Sequence, residues 1–292
     1  MKIVAIGSVK FSKIVFSYLL KKKIKIHTIF GKKKSNFNSD FFDLVKFFSK
    51  KKIKSYYSND INSKKTISIL KKIQPDLILC IGWSKILKNE ILKIPKIGTI
   101  GYHPADLPSN RGRHPIIWAL ALGLKRVGST LFFMNKNADS GPIISKRSIK
   151  ITSNDNSTKL YYKLSKMACN QLFESIKKIE EGKIKKINQT NKTSNFWRRR
   201  TDKDGIIDWR MSAETIFNLV RALNAPYPGA HFFYKNKKIK VWKVSKTVAN
   251  KNHEPGKIFN LNGSNPIIKC GDAAVIIKKM TPKINFKLNT YL

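Results

Sequence analysis

The sequence predicts an α/β protein in which a doubly wound, mostly parallel sheet is followed by a small C-terminal β-barrel-like domain. Three observations predict it. Short β-branched runs alternate with amphipathic helical stretches over the first third of the chain. The run Pro75-Asp76-Leu77-Ile78-Leu79-Cys80-Ile81-Gly82-Trp83 is apolar almost throughout, as a strand covered on both faces requires. From His231 onward, brief β runs separated by Gly and Asn take over, which suits a small barrel.

Residues 2–6 read as a first strand, and residues 8–20 as a helix with Phe11, Ile14, Val15, Tyr18 and Leu19 on one face. A single Gly7 precedes that helix; without a G-x-G-x-x-G the nicotinamide-dinucleotide reading fails at its first requirement. Residues 24–30, 40–48, 53–57 and 63–73 continue as strand, helix, strand and helix. After the apolar strand, Thr99-Ile100 delivers His103 into a loop rich in Pro and Gly, and residues 116–120 read as a helix. A strand over 129–134 leads into Asn137-Ala138-Asp139-Ser140-Gly141, and two extended segments follow over 142–145 and 148–151. An amphipathic helix opens at residue 156 and ends near Gly182. The expected division is a main domain over 1–182, a polar linker over 183–204 and a small C-terminal domain over 205–292.

The 292 residues are 41% apolar and include 17 Phe, which describes a globular chain and not a disordered one. No apolar run approaches the roughly 20 residues that span a bilayer. The first residues are too short an apolar run for a signal peptide, so a cytoplasmic location without membrane partners is expected. Cys80, Cys169 and Cys270 are odd in number, far apart and outside any CxxC, so they read as buried thiols with no disulfide and no metal. The formal charge of +42 points to polyanions, but its distribution weakens that reading. All nine Arg lie at or beyond Arg111, while Lys is spread everywhere. Uniform Lys reads as compositional bias on solvated faces, so a nucleic-acid partner is not expected and the Arg positions carry more information.

His103 falls at the C-terminal end of a strand, the edge where ligands bind in open α/β sheets. With an ordinary pKa of about 6.5, a histidine there can move protons near neutrality. Asp139, at the end of a neighbouring strand, can orient the ring and relay protons. Arg111 and Arg113 flank Gly112 just before a helix, a natural place for a carboxylate or phosphate.

His103, Leu107-Pro108-x-x-Arg111-Gly112-Arg113-x-Pro115 and Ala138-Asp139-Ser140-Gly141 together resemble the formyltransferases that use N10-formyltetrahydrofolate. Asp204-Gly205-x-Ile207-Asp208-Trp209 and Asn224-Ala225-Pro226-Tyr227-Pro228-Gly229-Ala230 resemble the C-terminal part of members that formylate nucleotide-linked 4-amino-4-deoxy sugars. The resemblance implies a Rossmann-like core with an OB-like barrel, and an N-formyltransferase acting on a nucleotide-linked deoxyamino sugar, of the kind used in O-antigen biosynthesis and commonly homodimeric. Methionyl-tRNA formyltransferase, or a non-catalytic folate or nucleotide-sugar binding relative, are the alternatives.

The same resemblance assigns catalysis to His103 and Asp139, and the pterin of the formyl donor to Ile81, Gly82, Trp83, Ile86, Met134, Ala138 and Asp139. Tyr102, Pro104, Ala105, Arg111 and Arg113 are the candidate acceptor-binding residues, and Arg198, Arg199 and Arg200 read as a clamp for its diphosphate or, equally well, as a solvated linker. The family carries an Asn two residues before its His, where this chain has Gly101. A backbone N–H or Asn110 replaces that donor, or His103 serves alone, or the enzyme is degraded; replacement is the expectation.

Overall fold

The computed structural model describes residues 1–35 and 38–292. Two compact units emerge. One comprises Met1–Pro115, Val127–Ile149 and Tyr161–Trp197, the other Ile116–Arg126, Lys150–Leu160 and Arg198–Leu292.

In chain order the elements are β1 (Ile3–Ile6), α1 (Lys10–Lys21), β2 (Ile26–Gly31), α2 (Leu44–Ser49), β3 (Lys54–Tyr57), α3 (Lys64–Ile73), β4 (Leu77–Cys80) and α4 (Asn89–Leu92). There follow β5 (Gly98–His103), β6 (Arg111–Gly112), α5 (Pro115–Ala121), β7 (Arg126–Phe133), β8 (Ile143–Lys150), α6 (Ser157–Glu180) and β9 (Phe196–Trp197). The sheet of the first unit has the order β3-β2-β1-β4-β5-β7-β8. β1 to β5 pair in parallel, and β7 lies antiparallel to β5 with His103 opposite Thr130 and Gly101 opposite Phe132. The chain winds outward from β1 to β3, then crosses to β4 on the other side. That reversal makes the crevice beyond the C-terminal ends of β1 and β4 a topological switch point.

Every residue of β1 and β4 is buried, which explains why neither run alternates. Val4, Ile6, Phe30, Leu70 and Ile78 meet in one core cluster, each contributing about 1.5–3 kcal/mol by leaving water. The helices start where a side chain caps them. Ser63 accepts from the Thr66 N–H ahead of α3, and Asp43 from the Lys46 N–H ahead of α2. The Asp43 cap explains why α2 begins at Leu44 and not at residue 40, as the sequence pattern suggested.

In the second unit a helix, α7 (Ala213–Ala222), is capped by Ser212 through the Thr215 N–H. Five strands follow: β10 (Ala230–Tyr234), β11 (Lys237–Thr247), β12 (Ile258–Asn262), β13 (Asn265–Lys269) and β14 (Ala274–Thr281). They pair antiparallel in the order β10-β11-β14-β13-β12, which puts β10 and β12 at opposite ends of the sheet. Among the described residues no helix is long and apolar enough to cross a membrane.

Candidate active site

β5 ends at His103, and the loop that follows turns back over the ring. The imidazole is only 5% exposed, and its Nε2 lies 2.8 Å from the carbonyl oxygen of Asn110. A carbonyl only accepts, so this contact places the proton of the neutral ring on Nε2 and leaves the Nδ1 lone pair for the other side. Nδ1 faces Asp139 Oδ2 at 3.7 Å. That separation is too long for a direct hydrogen bond, but once Nδ1 carries a proton the carboxylate is its counter-charge. Asp139 Oδ2 also accepts from the Gly112 N–H at 3.0 Å, which ties the β7–β8 loop to the Arg111-Gly112 segment. The end of β5 and the β7–β8 loop thus bring His103 and Asp139 to one place.

Asp139 holds a left-handed backbone, with φ at 53°, a conformation that non-glycine residues rarely adopt. A residue from the segment read as a linker, Gln189, braces it there. Gln189 Nε2 donates to the carbonyls of Asp139 (2.9 Å) and Gly141 (2.8 Å), while its Oε1 accepts from Arg111 Nε (3.3 Å) and Nη2 (2.9 Å). The segment read as a polar linker is tied to the site: Ile187 bridges to Ile143, and β9 pairs with β6. Arg111, 3% exposed, spends its guanidinium on Gln189 and on Asn191 Oδ1 at 3.1 Å, beside a cavity of about 520 Å³ whose lining includes Asn135, Ala138 and Ser140.

The loop after β4 is strapped to α1. Ser12 Oγ donates to the Ile81 carbonyl at 2.6 Å and Ser8 Oγ to the Gly82 carbonyl at 3.3 Å. Gly82 has φ +66°, and a Cβ there would lie 2.3 Å from Val9 Cγ2 and 2.7 Å from Ser12 Oγ. The room that glycine leaves is taken by α1 and not by a ligand. Trp83 Nε1 is buried without a hydrogen-bond partner, Ile86 is 58% exposed and Met134 is half-buried. A flat, polar heterocycle fits such a set, because it supplies an acceptor for the indole N–H and covers the apolar side chain.

The remaining sequence candidates fall elsewhere. The Tyr102 hydroxyl bonds Ser129 Oγ at 3.0 Å, its ring stacks on Phe11, and burial pushes its pKa up. The Ala105 carbonyl accepts from Thr130 Oγ1 at 2.7 Å, and Pro104 is half-buried beside it. Arg113 donates to the Ser84 carbonyl at 3.0 Å. In the second unit Arg198 forms a two-pronged pair with Asp204, whose carboxyl is held far below the usual range by it, and lies over the Trp118 ring. Arg200 sits over the same ring and bonds the Asp204 carbonyl. Arg198 and Arg200 are thus engaged inside their own unit, and Arg199 is exposed between them.

Gly101 carries no side chain where the family has its Asn. A Cβ there would stand 2.9 Å from both Met134 Cγ and Phe132 Cζ, so apolar groups fill the space. Asn110 reaches the ring through its carbonyl, an acceptor, and not through a donor.

The family models for formyl transferase and for the formyl transferase C-terminal domain match residues 1–176 and 200–290. The chain belongs to the formyl transferase family. It is 43% identical over 223 residues to the bifunctional polymyxin resistance protein ArnA of Wigglesworthia glossinidia brevipalpis, a match that covers 76% of this chain and 34% of that protein. A methionyl-tRNA formyltransferase of Caldanaerobacter subterraneus is 36% identical over 216 residues, covering 74% and 69%. Among solved structures, the sugar 3N-formyltransferase WlaRD, crystallised in the presence of dTDP and 5-N-formyl-THF, superposes with a TM-score of 0.72 at 20% identity over 97% of this chain and 99% of that one. An N-formyltransferase of Helicobacter canadensis, in complex with folinic acid and dTDP-3-aminofucose, also gives 0.72 at 18% identity over 95% and 98%. These two likenesses speak to the fold.

Proposed function

We propose that the protein transfers a formyl group from N10-formyltetrahydrofolate to the primary amine of a nucleotide-linked deoxyamino sugar. The observation that carries this reading is the pairing of His103 with Asp139 at the sheet edge, with the ring's Nε2 fixed on a backbone carbonyl. When bound, the folate supplies a one-carbon unit already activated on N10. Ile81, Trp83, Ile86, Met134 and Ala138 would hold its pterin. His103 Nδ1 would accept a proton from the attacking amine and pass it to the departing nitrogen, while Asp139 Oδ2 balances the charge that the ring carries in between. Burial of the ring keeps water from competing for that proton. With Gly101 in place of the family Asn, the side chain at that position offers no donor to the developing oxyanion, a loss worth about 10²–10³ in rate where such donors have been removed.

Supporting the sugar over other acceptors are the Asp204-Gly205 and Asn224-Ala225-Pro226 motifs, which resemble those of members acting on such sugars. One observation favours a second reading, initiator-tRNA formylation: methionyl-tRNA formyltransferases recur among the relatives at 31–36% identity. A single assay separates them. The protein is incubated with formyl-folate and, in parallel, UDP-, GDP- and dTDP-linked amino sugars or methionyl-tRNA, and tetrahydrofolate release is followed. Release with an amino sugar, lost in His103→Asn while folate binding persists, supports the proposal. Release with methionyl-tRNA alone overturns it.

A further inference from the structure

Lys32 follows β2 at the C-terminal edge of the sheet and is the first of three consecutive lysines, yet it alone is buried, at 8% exposure. Its Nζ lies 4.8 Å from the centre of the Trp83 ring and 3.4 Å from Ser84 Oγ. No carboxylate among the described residues acts on it; the charge nearest to it in effect is that of Lys85, which with burial holds its pKa below the ordinary value. Arg113 donates to the carbonyl of the same Ser84 at 3.0 Å. Ser84 thus accepts from both side chains, Lys32 through its hydroxyl and Arg113 through its carbonyl. A buried ammonium without a counter-charge is unfavourable, and an aromatic face offsets only part of that. The protein keeps one within reach of the loop that carries Trp83, and connects it to the catalytic carboxylate by a short path: Asp139 binds the Gly112 N–H, and Arg113 is the next residue.

We infer that Lys32, Ser84 and Arg113, with the Trp83 ring as a wall, form an oxyanion subsite that binds the phosphate or carboxylate of a reactant. Two sources carry that chemistry under the proposed function, on which this choice of sources rests: the diphosphate of the acceptor and the glutamate carboxylates of the folate. A point charge on a flexible stem suits either, and Arg113 can add a two-pronged grip.

Calorimetric titration of the protein with sodium pyrophosphate, with folinic acid, and with a folinic acid analogue lacking the glutamate tests the subsite directly. Lys32→Met keeps the apolar stem in the core. It should weaken pyrophosphate, or folinic acid but not its glutamate-free analogue, by tenfold or more, and Lys32→Arg should restore most of that. Lys33→Met, a change to the exposed neighbour, should leave both unchanged. Loss with pyrophosphate assigns the subsite to the acceptor, and loss with the glutamate assigns it to the donor. Wild-type affinities in a folded Lys32→Met, or an equal loss in Lys33→Met, overturn the subsite. Pyrophosphate binding is read without formyl transfer, so a failed acceptor panel and a failed subsite remain distinguishable.

Discussion

Gln189 and Asp139 are joined by a hydrogen bond of 2.9 Å from the glutamine amide to the aspartate's own carbonyl, so a side chain from the crossover segment fixes the backbone of the carboxylate that faces His103. The same amide reaches Gly141, and its oxygen takes two donors from Arg111. Two of these four contacts hold the loop in which Asp139 has its left-handed backbone, and the other two hold Arg111. Loss of this clip leaves the turn to relax.

Gln189→Leu should therefore lower kcat by about tenfold or more, since misplacing a catalytic group by about 1 Å can cost 10²-fold, with a smaller change in KM. Stability should fall by about 1–3 kcal/mol because the buried Arg111 loses acceptors. Gln189→Glu, which keeps an acceptor for the two Arg111 donors but cannot donate to the carbonyls, should retain stability better than activity. Equal, parallel losses in both variants would mark Gln189 as structural only. Urea denaturation beside steady-state kinetics separates the two.

Gly82→Ala should destabilise the first unit by about 1–3 kcal/mol, as overpacking does, and more if the positive φ cannot relax. The added methyl meets Val9 Cγ2 at 2.3 Å in a loop whose two carbonyls are already held by Ser8 and Ser12. A second change, Val9→Ala, should recover part of the loss in a thermal melt. Without any recovery, the clash with α1 is not the cause.

The three thiols should be inert in the folded protein. Cys80 and Cys270 are pushed up to about 12 and Cys169 to about 11, in each case chiefly by burial. At pH 8 the thiolate of a group near 11 is about one part in a thousand, and the thiolate is the reactive form. A disulfide reagent should label less than one equivalent in native buffer over an hour, and three equivalents after denaturation. Rapid labelling of any one cysteine without unfolding would contradict its burial.

The parts of this architecture that could be read from residue order are those in which one-dimensional pattern and three-dimensional burial coincide. β1 and β4 are buried on both faces, so their composition alone announced them. His103 and Asp139 could be paired in advance because His103 closes β5, Asp139 lies in the loop that leaves β7, and β5 lies beside β7. Gln189 could not, for its partners are mostly backbone atoms that no sequence pattern marks, and the segment around it lacks periodicity. Lys32 was hidden for the opposite reason: it stands in a run with Lys33 and Lys34, and only the fold distinguishes the buried one. The three arginines at 198–200 looked like a clamp for phosphate, but Asp204, a few residues on, already occupies Arg198.

His231 makes the stability of the second unit depend on pH. Its side chain is 1% exposed, and neither ring nitrogen has a hydrogen-bond partner. Burial first, then Lys238, and further Lys240, hold its pKa below 6.5, against the pull of Asp202 at 3.6 Å and of a backbone contact at Gly229. A histidine whose folded pKa is depressed is neutral in the fold, whereas the unfolded chain takes up a proton once pH drops below about 6.5. The stability that depends on the neutral ring is complete above that value and is lost as pH falls through it towards the lower folded value. The urea midpoint should therefore drop between pH 7.5 and pH 5.0 in the wild type and drop less in His231→Gln, which has nothing to titrate there. A wild-type midpoint that rises on acidification, or an equal slope in the variant, would show that the ring is charged and paired with Asp202 in the folded chain.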